Sequence, residues 1–199
     1  LTSITIPESV TSIGNYAFEK CSSLTEMIYN AENCKTLGTN WLRDVPLQKL
    51  IIGTSVKSIP NNAFENCSSL TSITIPESIT EIGNYAFSGC SSLTEMIYNA
   101  ENCKTLDTYW LENVALQKLT IGTTVKSIPN SAFSSCSSLT SVTIPESITE
   151  IGRSAFENCS SLTEITIPES VTEIGRSAFR NCSSLTSITI PESVTSIGL

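Results

Sequence analysis

Apolar residues recur along this chain with a period of 23, and leucine stands at residues 1, 24, 47, 70, 93, 116, 139, 162 and 185. The unit beginning at Leu139 shows the pattern. Leu139, Val142 and Ile144 point one way while Ser141 and Thr143 point the other, which predicts a short strand with one buried face. Pro145 ends it, because proline donates no ladder hydrogen bond. Ile148 and Ile151 supply a second inward pair, and Gly152 permits a sharp corner. Ala155, Phe156 and Cys159 then follow at the i, i+1, i+4 spacing of one buried helical turn, before Ser160 and Ser161 lead into the next strand.

A unit this short cannot bury its apolar edge alone, so the units must stack. The expected fold is a right-handed leucine-rich-repeat solenoid, α/β or mostly β, with short parallel strands on the concave face and short helical turns on the convex side. Residues 1–199 form a single domain of eight full units and a partial ninth. The chain opens on the first residue of one unit and stops at the fifteenth of another, with no polar cap at either end. It is therefore expected to be a piece of a longer protein.

A longer period overlays the short one. The stretch L-T-E-M-I-Y-N-A-E-N-C-K-T-L occurs at Leu24 and again at Leu93, with Trp41 and Trp110 in place of the usual phenylalanine. Each of these units is followed by one reading L-Q-K-L-x-I-G, so residues 1–69 and 70–138 are duplicated blocks. Duplication alone accounts for this; the other reading is a binding feature presented twice.

In a parallel stack about 4.8 Å separates neighbouring strands, and equivalent positions form rows across the face. The third-position row runs Ser3, Glu26, Lys49, Ser72, Glu95, Lys118, Ser141, Glu164, Ser187. Glu26 beside Lys49, and Glu95 beside Lys118, are expected to form cross-strand ion pairs. The fifth-position row is threonine except at Ile28, Ile51 and Ile97. Those isoleucines, with the adjacent Tyr29 and Tyr98, break a face otherwise made of Thr and Ser. They are either simple cross-strand packing or a contact site.

The pattern L-x-x-I-x-I-P-x-x-V-x-x-I-G-x-x-A-F-x-x-C-S-S resembles the leucine-rich repeats of the BspA-like surface proteins of oral and gut bacteria and some parasitic protists, and it covers all 199 residues. The resemblance implies a secreted or surface-anchored solenoid, extracellular or at the cell surface, with adhesion as a class of role. Ser9 and Ser147 stand where the common leucine-rich pattern has Asn or Cys, so that ladder is absent.

Other residues narrow the function. The eight cysteines are best read as buried reduced thiols, since stacked Cβ atoms project in parallel and stay beyond disulfide reach; disulfides or a metal site are the weaker readings. Glu146, Glu169 and Glu192, with Glu150 and Glu173, form an acidic edge that reads as a solvated face ahead of a calcium site. The Asn-Cys-Ser triplets at Asn66, Asn158 and Asn181 match the glycosylation sequon but arise from the repeat template. A net charge of −8 speaks against a nucleic-acid partner, and no apolar run approaches a membrane span.

With no histidine, and with every Ser, Cys and Glu repeated rather than singular, neither a catalytic constellation nor a cofactor is indicated, and no metal site is assigned. The expected function is a non-enzymatic binding or adhesion module that takes a protein or glycan ligand on its strand face. The candidate contact residues are Glu26, Ile28, Tyr29, Lys49, Ile51, Glu95, Ile97, Tyr98 and Lys118. The alternative is a structural spacer or stalk, self-associating end to end through its uncapped repeats.

Overall fold

In the computed structural model, residues 1–103, 105–107 and 109–198 are described. Each unit is one coil of a parallel β-solenoid. The strands in chain order are β1 (Ser3–Ile6), β2 (Ser12–Ile13), β3 (Glu26–Tyr29), β4 (Thr36–Leu37), β5 (Lys49–Ile52), β6 (Ser58–Ile59), β7 (Ser72–Ile75) and β8 (Glu81–Ile82). They continue with β9 (Glu95–Tyr98), β10 (Thr105–Leu106), β11 (Lys118–Ile121), β12 (Ser127–Ile128), β13 (Ser141–Thr143), β14 (Glu150–Ile151), β15 (Glu173–Ile174) and β16 (Ser196–Ile197). The longer strands carry the strand face, alternating exposed and buried residues as expected, and the two-residue strands form the corner.

The expected helical turns are corrected: among the described residues there is no helix. From Gly152 to Cys159 the backbone is a run of turns in which alternate amides part ways. The amides of Ala155, Glu157 and Cys159 fold back on the carbonyls of Gly152, Ser154 and Phe156, each at 3.2 Å. Those of Ser154, Phe156 and Asn158 donate to Arg176, Ala178 and Arg180 in the next coil, at 2.9, 2.8 and 2.8 Å. Left-handed residues at Ser154 (φ 54) and Asn158 (φ 62) make this alternation possible. A helix would consume those amides internally and leave the neighbouring coil unbonded.

The turns also shift by one residue in the two variant units. Asn40 is the left-handed residue there, as Asn62 is in the next coil, so Trp41 occupies the slot of Ala63 while Leu42 and Val45 fill those of Phe64 and Cys67. Tryptophan thus takes an alanine slot, where the spacing alone suggested a phenylalanine. Its ring still reaches the aromatic row. Phe18, Trp41, Phe64, Phe87, Trp110, Phe133, Phe156 and Phe179 form one continuous stack with neighbouring centroids 5.4 to 6.2 Å apart. The Trp41 indole N–H donates to the Ala63 carbonyl at 2.7 Å, and Trp110 does the same to Ala132. In ordinary coils a backbone amide makes that bond, as Phe64 does to Ala86.

Three rows of hydrogen bonds therefore join the coils, along strand face, corner and turns, and each is interrupted at defined seams. Strand-face pairing runs β1-β3-β5 and resumes as β7-β9-β11-β13, with no ladder between β5 and β7. Position 7 of the unit contributes to the break. Asn30, Gly53, Asn99 and Gly122 have amides that bond the preceding coil, to Ile6, Tyr29, Ile75 and Tyr98. Pro76 at that position has none to offer the carbonyl of Ile52. At Pro145 the ladder shortens to three residues, and before Pro168 and Pro191 no strand-face pairing forms among the described residues. The Pro76 and Pro145 seams differ on this face in having Ile51 for Thr120 and Ile73 for Val142. Asn30 also explains the glycine that follows it in the row, because a Cβ at Gly53 would collide with the Asn30 carboxamide.

Phe156 is fully buried between the rings of Phe133 and Phe179. Phe156→Ala is expected to destabilise the fold by about 3–5 kcal/mol, read from denaturant unfolding; a loss below about 1 kcal/mol would show that the aromatic row contributes little.

Candidate functional site: a groove on the strand face

The β5/β7 seam opens a cavity of about 1110 Å³ on the strand face. Ile51 and Ile97 wall it on either side of Thr74, each 44% exposed. Ser72 and Thr74, the short outward residues of β7, line it between the longer ones of β5 and β9. Lys49, Glu95 and Lys118 line one side, with Glu77, Asn99 and Glu101 toward the corner. Ser78 also lines the groove, and its buried hydroxyl has no hydrogen-bond partner among the described residues. The equivalent Ser147 hydroxyl is orphaned in the same way, whereas those of Ser170 and Ser193 donate to Ile148 and Val171, at 2.6 and 2.8 Å.

The sequence-derived candidates divide into three groups. Lys49, Ile51, Glu95, Ile97 and Lys118 come together in the groove. Glu26 and Ile28 sit on the same face beside it, Ile28 being 38% exposed and in register with Ile51. Tyr29 and Tyr98 are core residues with no exposed surface, packed edge-on against Phe64 and Phe133. They follow the inward phase of the strand and cannot contact a ligand on the outer face.

The expected rows are present, with Glu26 opposite Lys49 and Glu95 opposite Lys118. The expected ion pairs are not: among the described residues, ion pairs form at Arg43–Glu19, Arg43–Asp44 and Arg180–Glu157 instead. Exposed pairs of this kind gain too little to fix two long side chains. The charged ends on the strand face are left available to other partners. Sequence reasoning missed Ser72, Thr74, Pro76 and Ser78 as parts of the site, although Pro76 at position 7 was the signal for the seam.

Two further cavities, of about 670 and 650 Å³, lie on the turn and corner sides between units 24–46 and 47–69. There β4 and β6 do not pair, and the Trp41 indole bridges the gap. Each of these three cavities marks a row in which backbone hydrogen bonding lapses.

The alignment of the whole chain with a known family settles the architecture. The family of BspA type leucine rich repeat regions matches in six copies, over residues 1–114 and 104–199. The chain belongs to that family. Among solved structures, a leucine-rich repeat protein from Bacteroides ovatus is 29% identical, with a TM-score of 0.70 over 99% of this chain and 57% of its own. The leucine rich repeat protein of T. pallidum is 22% identical, with a TM-score of 0.58 over 81% of this chain and 78% of its own. The chain thus spans little more than half of the Bacteroides protein. Among curated proteins none matches.

The BspA-type cysteines serve the core. Cys90, Cys159 and Cys182 donate their thiols to the carbonyls of Phe64, Phe133 and Phe156 one coil back, at 3.2, 3.3 and 3.2 Å. Cysteine suits a slot that is apolar on all sides but faces one carbonyl. Burial pushes the Cys136 thiol from its ordinary 9.0 up to about 12. Burial, and then the thiols of Cys34 and Cys103, likewise raise the Tyr29 and Tyr98 hydroxyls. Among the described residues no group of three or more His, Cys, Asp or Glu could hold a metal ion, and no helix is long and apolar enough to cross a membrane.

Because the folded state favours the protonated Cys136 thiol, this contribution is complete below about pH 9 and is lost as pH climbs toward about 12. The melting temperature is expected to fall across that window, and Cys136→Ala should flatten the fall. An equally steep alkaline loss in the variant would place its cause elsewhere.

Proposed function

We propose that this chain is a non-enzymatic binding module, extracellular or at the cell surface, that engages a protein or glycan ligand in the strand-face groove. The observation that carries the reading is the coincidence of the Pro76 seam with the two exposed isoleucines that wall it. An apolar middle within a rim of Lys49, Glu95, Lys118 and Glu101 is the anatomy of a protein-recognition surface, where burial of the centre supplies affinity and the charges supply orientation. Family membership supports the surface location, and the chain's lack of histidine together with its repetitive Ser and Glu supports the absence of catalysis.

The test is surface plasmon resonance against immobilised extracellular-matrix proteins and the glycans released from them. For a ligand captured by the native chain, the double variant Ile51→Thr, Ile97→Thr is expected to bind at least about tenfold more weakly, with little change in melting temperature. Ile28→Thr, outside the groove, should matter less. Undiminished binding by the double variant would remove the groove from the account.

A further inference from the structure

Taking the strand face as the interaction surface, as above, we propose that its partner includes a second copy of this chain, paired face to face about a two-fold axis parallel to β7. The third- and fifth-position rows together point to it. From Ser3 to Ser141 the third-position row reads Ser, Glu, Lys, Ser, Glu, Lys, Ser, and reversing it about Ser72 exchanges every glutamate for a lysine.

A two-fold along β7 keeps the strand direction and reverses the order of coils. Each row therefore meets its own reverse. Glu26 then faces Lys118 of the second copy, and Lys49 faces Glu95, each contact being made twice. Ser3 faces Ser141, and Ser72 meets itself. In the fifth-position row Ile51 falls against Ile97, Ile28 against Thr120, and Thr74 against itself. All of these acidic and basic residues are exposed, and none is engaged in an ion pair within the chain. Every Glu and Lys between Ser3 and Ser141 in the third-position row finds an opposite charge, and the two most exposed isoleucines of the face cover each other.

The continuous registers of the face supply the alignment this needs. Glu26 and Lys49 are Cα partners, as are Glu95 and Lys118, so the charges lie in one line along the stack. The missing ladder between β5 and β7 falls beside the axis, where the groove gives the facing isoleucines room. Position 8 is the exception, since Glu77 falls near its own copy and Glu8 faces Glu146 twice. It lies at the corner edge, where solvent screens it. The duplication of the 69-residue block doubles the number of opposed charges and centres the pairing on Ser72.

Sedimentation velocity on the native chain, on Lys49→Glu and on Glu95→Lys tests the pairing. The native chain is expected to dimerise, more weakly at high salt. Each single reversal sets like charges opposite one another twice and should weaken association by at least about tenfold. Mixed in equal amounts, the two variants should dimerise again, because each supplies the charge the other lacks; this recovery also shows that both are folded. A native chain that stays monomeric, or association that survives both reversals as end-to-end stacking would, overturns the pairing. A monomeric native chain that captures a matrix ligand would defeat this inference alone. Because the pairing covers Ile51 and Ile97, ligand capture is read on the chain diluted to monomer, and a chain that dimerises but captures no ligand when dilute would defeat the ligand reading alone.

Discussion

A coil of 23 residues has too little interior to satisfy its own backbone, so each coil's amides and carbonyls must find partners in the coils beside it. That constraint orders everything else in this BspA-type repeat. The strand face, the corner and the turns each provide a row of inter-coil hydrogen bonds, and the left-handed residues of the turns aim alternate amides at the next coil. The three cavities lie at lapses in these rows, at the β5/β7 and β4/β6 seams. A residue that fails to donate, such as Pro76, thus helps to place a site on this fold.

Inside the rows the apolar side chains behave as columns. The aromatic column passes through Trp41 and Trp110 without a gap because a larger ring from the alanine slot reaches the line held elsewhere by phenylalanine. Its indole N–H then reaches the carbonyl that a backbone amide serves in other coils. The thiol column does similar work, a weak donor meeting a carbonyl that already accepts one amide. Packing and polar satisfaction are thus met by the same side chains.

Much of this was legible in the sequence. The inward phase of Leu, Val and Ile, the inward Ala-Phe-Cys cluster, the rows of Glu and Lys, and the exposure of Ile28, Ile51 and Ile97 all follow from a period of two within a period of 23. The helical turn was misread because i, i+1, i+4 spacing is shared by a helix and by a chain of turns, and the choice between them depends on bonds to another coil. Tyr29 and Tyr98 were placed on the face although the alternation of β3 and β9 sends them inward with Met27 and Met96. The one-residue shift around Trp41 could not be seen because the unit length is unchanged. The groove was half visible: its isoleucines stood out, but its position depends on what Pro76 withholds.

On this view the face has two uses that exclude one another, a groove for a ligand in the monomer and a charge pattern for a second copy in the dimer. The groove depends on the seam before β7, to which proline contributes by withholding an amide. Hydrogen exchange followed by NMR on Pro76→Ala, which returns an amide opposite the Ile52 carbonyl, tests that dependence most directly. Slowed exchange at the new amide and at Ser72 and Thr74, as β5 and β7 join, is the expected result. Unchanged exchange at all three would contradict it and put the cause of the seam in the bulk of Ile51.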